Sequence, residues 1–504
     1  GPIAESYGKG VDSVYEADLD FIGFLSRFGL EALEGKCLDK LGILLGLPRP
    51  WVTIPLLQEA YKRGMNVESE IEFAYHLAKS PILAITGTNG KTTTSHMISD
   101  MLTGLGYDVI NNISGANLAS GIATTLICGK DEIKRSGKGS KGLIYVLETD
   151  EAAFAKIAGD LDPTASVVTN LFRDQLDRYG ELTHTRDLIA GGIDRTRAKL
   201  IINSNDSLVA SLGKGREDRS IFFGMDKASM KMNNEKYPKK ESILPASPDA
   251  VYCPECKIRY GYKARSFGHL GDFYCTSCGS VSPEDRFAVI YDLKESPATP
   301  GYRFSIRDNV TGITKEQVLK VQGGHNLYNT CAAVSAVTVM TEITENGGKE
   351  NGELFERACD ATEAVSAAFG RMEKFKVNGR DVCILLVKNP VGFDRSLQFV
   401  ADTKDADSLY LLLNSNIADG KDVSWIWDVD MESKAEDLPG KIYVSGQRYA
   451  DMVLRVDYAG RKTDLCGDEA LMKDIFNKAL ENCPEGKCVY ILPNYTAMLA
   501  LRAI

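Results

Sequence analysis

The chain has no uninterrupted apolar stretch long enough to cross a bilayer, and no secretory n-region and h-region opens it. It therefore reads as neither a membrane-spanning helical protein nor an exported one. It has no internal repeat and no long low-complexity tract, which sets aside solenoids and disordered classes. Positive charge is in deficit, with 59 Lys and Arg against 69 Asp and Glu and a net charge of −10. That balance argues against a generic nucleic-acid binder, and small anionic substrates would need basic residues clustered locally. Cysteine is not scarce, at twelve. Four fall in a metal spacing and eight are scattered, many inside apolar runs such as Val382-Cys383-Ile384, so a reduced, cytoplasmic protein is the better reading than a disulfide-bonded one. A length of 504 residues, with 44% hydrophobic and 25% charged, suits a globular protein of about three domains.

What is present is led by Thr86-Gly87-Thr88-Asn89-Gly90-Lys91-Thr92-Thr93-Thr94. The run follows a strand-like segment, Pro81 to Ile85, and opens a helix-like one, Ser95 to Leu105. A glycine-bearing turn between strand and helix lets backbone N–H groups close around phosphates, and the helix N-terminus adds its dipole. Lys91 would reach the outer phosphates, while the Thr92 hydroxyl would ligand a Mg²⁺ bridging them. An ordinary Gly-rich turn would not need the terminal Gly-Lys-Thr in this context.

From Pro81 onward strands alternate with helices. Strand candidates are Leu143–Leu147, Ser166–Thr169, Leu200–Asn203 and Ile221–Gly224, then Val382–Val387, Ser408–Leu413, Lys441–Ser445 and Val489–Leu492. The alternation implies mostly parallel sheet covered by helices, an α/β class. Val67 to Ser80 and Asn326–Thr344 read as helices, Asp131–Lys141 and Asp226–Ser247 as surface loops, and Glu345–Gly352 as a hinge.

Cys253-Pro-Glu-Cys256 and Cys275-Thr-Ser-Cys278 are two C-x-x-C knuckles separated by eighteen residues. Four thiolates at this spacing satisfy tetrahedral Zn²⁺, and a closed sulfur shell points to a structural role. Glu148, Asp150 and Glu151 follow a strand, where carboxylates commonly hold Mg²⁺ or a water on it. The stretch Asn170 to Gly180 concentrates Arg173, Asp174, Asp177 and Arg178 where an anionic substrate could sit. Gly324-His325-Asn326 begins a helix and could hydrogen-bond a base or ribose, and Arg371 suits a terminal phosphate. Asp419 to Asp428 pairs acids with Trp425 and Trp427, which marks a site or interface, since tryptophan is costly to expose.

In this order, these motifs resemble the Mur ligase family. From about residue 81 to 504 they are similar to its MurT branch, through Asn117 to Ile122, Leu147 to Glu151, Asn170 to Glu181, the four cysteines, Gly324-His325-Asn326, Leu386 to Phe393, Asp419 to Asp430 and Ser445 to Met452. The leading stretch from Ile54 to Phe73 looks more like the end of a MurD N-terminal domain. The resemblance implies three-domain Mur-ligase architecture. A small substrate-side domain would span 1–80 and a central ATPase domain 81–350, built on a P-loop parallel sheet with the zinc ribbon inserted at about 251–282. A C-terminal Rossmann-like, MurT-type domain would span 351–504, with ATP between the latter two.

It further implies an ATP-dependent carbon–nitrogen ligase that activates a carboxylate as acyl phosphate. ATP contacts would come from Thr88, Asn89, Gly90, Lys91, Thr92, Thr93, Asn117, His325, Asn326 and Arg371, with Mg²⁺ on Thr92 and Glu148. Lys91 and Glu148 would be catalytic. Asp422, with Asp428 in reserve, would complete the Cys–His pair of a GatD-like glutamine amidotransferase partner. The product would be isoglutamine on a cell-wall peptide precursor, lipid-linked or UDP-linked; a lipid-linked one would bring the enzyme to the inner membrane face. Gln175 stands where many Mur ligases carry a metal-binding histidine, Thr183–Arg197 has no lysine to carbamylate, and Lys388 replaces the usual histidine before Asn389-Pro390. These departures favour the MurT branch over an amino-acid-adding ligase, including the archaeal pseudomurein kind, which is the alternative. Loss of ATP turnover in Lys91→Ala, read as phosphate release, is the outcome expected of an enzyme and separates it from a catalytically silent scaffold.

Overall fold

The computed structural model describes residues 41–43, 66–68, 71, 74–75, 80–112, 116–133, 140–172, 182–236, 250, 252–293, 301–319, 324–365, 372–416 and 419–503. The chain divides into two compact units, Gly1–Lys79 and Ser80–Ile504. In the first, Leu41–Ile43 (β1) pairs in parallel with Asn66–Glu68 (β2). Val67 and Glu68 are thus in a strand rather than at the start of a helix, because their partners lie far off in the sequence where no local periodicity shows them. Most of the MurD-like stretch lies outside the described residues.

The second unit holds two large sheets. Ile82–Thr86 (β3), Asp108–Asn111 (β4), Leu143–Glu148 (β5), Ala165–Val168 (β6), Lys199–Asn203 (β7) and Ser220–Met225 (β8) belong to the first. The hairpin Gly261–Phe267 (β9) and Leu270–Tyr274 (β10) forms a sheet of its own, after which Phe287–Ile290 (β11), Tyr302–Asp308 (β12) and Thr314–Leu319 (β13) rejoin the first sheet. Its order is β13-β12-β11-β8-β7-β6-β3-β5-β4, parallel from β4 to β11 and antiparallel beyond. All five residues of β3 are buried, which is why this strand reads as a continuous apolar run instead of alternating. Over the sheet lies the helix His325–Asn346, buried at every residue from Asn326 to Glu342. A helix enclosed on all sides has no polar stripe, and Ala332, Ala333 and Ala336 on it join one core with Ile98 and Met101 of the helix Lys91–Gly104.

The last sheet comprises Met372–Val377 (β14), Arg380–Leu385 (β15), Ala406–Leu412 (β16), Lys441–Ser445 (β17), Leu465–Cys466 (β18) and Cys488–Pro493 (β19). Its order is β14-β15-β19-β16-β17-β18, parallel except for β14. Helix Pro390–Asp402 opens with Asn389 Oδ1 accepting from Gly392 N at 2.8 Å and with proline in its first turn, both favourable at a helix start. Phe393, Leu397 and Val400 bury its inner face. Arg455, 1% exposed, holds the tryptophan segment from below: Nε donates to Ile426 O at 3.0 Å, and Nη2 donates to Val429 O and to Glu432.

Several elements differ from the sequence reading. The supposed loop Asp226–Ser247 contains the helix Lys227–Lys236, whose polar Asn233 is buried and donates to Tyr291 O at 3.0 Å. Asp131 to Ile133 close the helix Ala119–Ile133. The supposed hinge is a helix end at Gly347, φ 60°, followed by Asn351 capping Gly352–Ala361. Strands β4, β11 to β14 and β18 were not legible, being short or half polar. No helix among the described residues is long and apolar enough to cross a membrane.

Arg455→Ala would leave two buried carbonyls without their donor, and a loss of about 3 kcal/mol in stability is expected, measured by urea unfolding followed through tryptophan fluorescence.

Candidate functional site

The loop from Thr86 to Lys91 is clasped from the neighbouring strand end. Thr88 N donates to Asn170 O at 2.8 Å and Asn89 N to Asn170 Oδ1 at 3.0 Å. Asn170 Nδ2 and Thr169 Oγ1 both donate to Asn89 O, each at 2.9 Å, and Phe172 N donates to Thr88 Oγ1. Gly87 and Gly90 adopt φ of 115° and 81°, a region that side chains resist. There is also no room for side chains: a Cβ on Gly90 would fall 2.2 Å from Asn329 Oδ1, and one on Gly87 2.5 Å from Thr169 Oγ1. The loop is thereby fixed before any ligand arrives, and the uncapped N-terminus of Lys91–Gly104 presents its first N–H groups to an anion.

Lys91 Nζ lies 2.8 Å from Glu151 Oε1, both nearly buried. Burial works against the ammonium, but Glu151, aided by Glu148 and Asp150, more than offsets it and holds the pKa above its ordinary value. Glu148 is fixed at the end of β5 by two backbone bonds with Asn112, N to Oδ1 and O from Nδ2, each at 2.8 Å. Asn117 Nδ2 reaches Glu148 Oε1 at 3.4 Å. Asp150 spends one oxygen capping the next helix, accepting from Ala152 N and Ala153 N. Glu148, whose charge acts on the buried ammonium, offers a carboxylate and Thr92, next to Lys91 in the chain, a hydroxyl, oxygen donors of the type that suits a hard cation such as Mg²⁺.

The structure brings Lys91, Glu148, Asn117 and the Thr88–Thr93 turn into one neighbourhood. His325 and Asn326 start the helix whose Asn329 lies against Gly90, and Asn329 Nδ2 donates to Asn326 Oδ1 at 2.7 Å. Arg371 and the group Arg173, Asp174, Gln175, Asp177 and Arg178 lie outside the described residues. Asp422 precedes and Asp428 ends the turn Ser424–Asp428, both acids exposed while Ile426 between them is buried. Asp422 accepts from Ser424 N and Ser424 Oγ at 2.8 and 2.9 Å. Trp427 is 42% exposed, whereas Trp425 packs edge-on against Phe393 with centroids 6.0 Å apart.

Four residues complete the neighbourhood through contacts that sequence reasoning did not give: Glu151, read from sequence as a metal-side acid, is the partner of Lys91; Asn170 is the clasp; Asn329 lies against Gly90; and Asn389 Nδ2 donates to Asn89 Oδ1 at 3.0 Å. Asn389 caps the helix Pro390–Asp402, so the last sheet touches the phosphate loop. The Asn-Pro pair was visible, but its partner, 300 positions earlier, was not.

In the ribbon, the ligand atoms of Cys253, Cys256, Cys275 and Cys278 all lie within 4.8 Å of one another. Two sulfur pairs are 3.5 and 3.4 Å apart, Cys253 with Cys278 and Cys256 with Cys275, and all four thiols are free. A tetrahedral four-sulfur shell requires separations of about 3.8 Å, so the cluster fits a metal ion with small adjustment.

Two family profiles match this chain, the Mur ligase middle domain over residues 85–250 and the MurT ligase C-terminal region over residues 386–498. Over 470 residues, 92% of this chain and 96% of the relative, it is 30% identical to the lipid II isoglutaminyl synthase (glutamine-hydrolyzing) subunit MurT of Streptococcus pneumoniae. The chain belongs to the Mur ligase family, in its MurT branch. It is an ATP-dependent ligase. The Staphylococcus aureus MurT subunit is 29% identical over 467 residues, 89% of this chain and 96% of that one. A UDP-N-acetylmuramoylalanine–D-glutamate ligase of Pelotomaculum thermopropionicum is 29% identical over 214 residues, 40% of this chain and 41% of its own, in keeping with the MurD likeness. Among solved structures, a type C pseudomurein peptide ligase from Methanothermus fervidus superposes with a TM-score of 0.58 at 19% identity, covering 90% of this chain and 86% of the other. MurF from Acinetobacter baumannii gives 0.57 at 14%, covering 86% and 78%. Both share the fold expected of this MurT-branch chain.

Gly90→Ala is expected to weaken nucleotide binding about tenfold or more, checked by titration with a fluorescent ATP analogue.

Proposed function

We propose that this chain is the carboxylate-activating subunit of an amidating ligase that converts the D-glutamate of a cell-wall stem peptide, on a lipid-linked precursor, into isoglutamine. The observation that carries the reading is a clasped phosphate loop with a buried, acid-compensated Lys91, in a chain matching MurT subunits along nearly their full length. The α-carboxylate oxygen attacks the γ-phosphorus of ATP and ADP leaves. Ammonia then attacks the acyl carbon, phosphate departs, and a proton is lost to give the carboxamide.

Lys91 exchanges its bond to Glu151 for the β- and γ-phosphates, placing its charge where negative charge develops. Glu148 and Thr92 would hold Mg²⁺, which supplies further charge neutralisation on the phosphates. His325 and Asn326 are assigned to the nucleoside, and Arg371 to the transferring phosphoryl, a role its guanidinium suits. Ammonia comes from a GatD-like glutamine amidotransferase. Its Cys–His pair is oriented by Asp422, which Ser424 holds on the exposed turn, with Asp428 as the reserve. The ribbon carries Zn²⁺ on Cys253, Cys256, Cys275 and Cys278.

Mass spectrometry of reactions containing this chain, Mg-ATP and cell-wall precursors, with ammonium and amino acids supplied separately, tests the proposal. Carboxamide formed only with ammonium is the expected result. A precursor lengthened by an amino acid would overturn it in favour of a stand-alone peptide ligase.

A further inference from the structure

The four-cysteine insertion is wedged beneath the phosphate loop's support. Its hairpin turns between β9 and β10 at Gly268-His269, and the turn enters at the carboxyl ends of β6 and β7, the edge where open α/β sheets bind ligands. His269 is 2% exposed. Its Nε2 lies 3.2 Å from Asp206 Oδ2, its ring meets Phe172 at 4.5 Å between centroids, and both ring nitrogens are buried without a hydrogen-bond partner.

Asp206 is wholly buried and committed on both oxygens. Oδ1 accepts from Leu208 N and Val209 N, starting the short helix Ser207–Ser211. Oδ2 accepts from Leu171 N at 2.7 Å. Leu171 follows Asn170, the residue that clasps Thr88 and Asn89. On its far side the short helix packs Ala210 into one cluster with Cys253 and Cys275. A continuous path thus runs from the sulfur cluster through Ala210, Asp206, Leu171 and Asn170 to Asn89.

A second tie runs in parallel. Gly271 N donates to Asn205 O at 2.9 Å, and Tyr328 Oη donates to Asn205 Oδ1 at 2.9 Å while meeting Ser266 Oγ of β9. Tyr328 immediately precedes Asn329, which sits over Gly90.

We propose that the ribbon is a metal-dependent brace for the ATP site, with His269 and Asp206 as positioning residues that fix residues 170–172 and, through them, the phosphate loop. This rests on the reading of that loop as the ATP site, and not on the identity of the acceptor or nucleophile.

The test uses the full chain as wild type, Lys91→Ala, His269→Ala and His269→Gln, with affinity for a fluorescent ATP analogue and bound zinc measured on each. His269→Ala is expected to keep its zinc yet bind nucleotide about tenfold more weakly. His269→Gln, which keeps a polar side chain of similar reach against Asp206, is expected to recover most of the affinity. Should His269→Ala fail to fold, wild type decides: zinc removal by a chelator, with Mg²⁺ then restored, is expected to weaken nucleotide binding, and added zinc to restore it. Wild-type affinity in zinc-bearing His269→Ala, loss of zinc with that substitution, failure of the Gln variant to rescue, or unchanged affinity in the zinc-free wild type would each overturn the brace. Undiminished binding by Lys91→Ala would instead remove the reading of the loop on which it rests.

Discussion

A buried ammonium organises this protein. Lys91 sits at the start of a helix, whose dipole already favours negative charge, and it is almost removed from water. An unpaired cation there would be costly, so the acids at the end of β5 are a physical requirement of the site as much as a feature of it. Glu151 supplies the direct partner, Glu148 and Asp150 the surrounding field. On the proposed function, the acids that stabilise the lysine would be the ones available to a cation once phosphates took the lysine over. One arrangement would then serve both the resting and the loaded site.

Around that pair the fold is built from parts held at long range. The phosphate loop owes its shape to Asn170 and Thr169 at the next strand's end, and its glycines to the nearness of Thr169 and Asn329. The fully buried helix His325–Asn346 ties the first sheet's core together and presents Asn326, Tyr328 and Asn329 at the site from its N-terminal turns. Helix Pro390–Asp402 does the same for the last sheet: its cap Asn389 meets the loop, while its Asp394 receives Lys434 Nζ at 2.8 Å from beside the tryptophan segment. Burial keeps the Asp394 carboxyl above its usual range even with that lysine against it.

What could be read in the chain was what is local. The phosphate loop, the cysteine knuckles and the apolar runs of β3, β5, β7 and β16 each declare themselves within a dozen residues, and the family resemblance joined them into one architecture. The polar clasp did not declare itself. Asn170, Asn329 and Asn389 are ordinary asparagines until the sheet order sets the ends of β6 and β3 side by side and brings the long helix over Gly90. Strands β12 and β13 alternate with charged residues and resemble loop in composition, becoming strands because they extend the antiparallel edge. Arg455 looks like a surface charge on an amphipathic helix, yet the carbonyls of the tryptophan segment draw it inside.

The amide contact between Asn89 and Asn389 is a tie of modest strength between the two sheets' regions. A neutral hydrogen bond contributes about 1 kcal/mol net in water, which favours the made contact over the parted one roughly fivefold. A pair of opposite charges buried at the same place would leave an uncompensated charge whenever it parted, whereas two amides part at little cost.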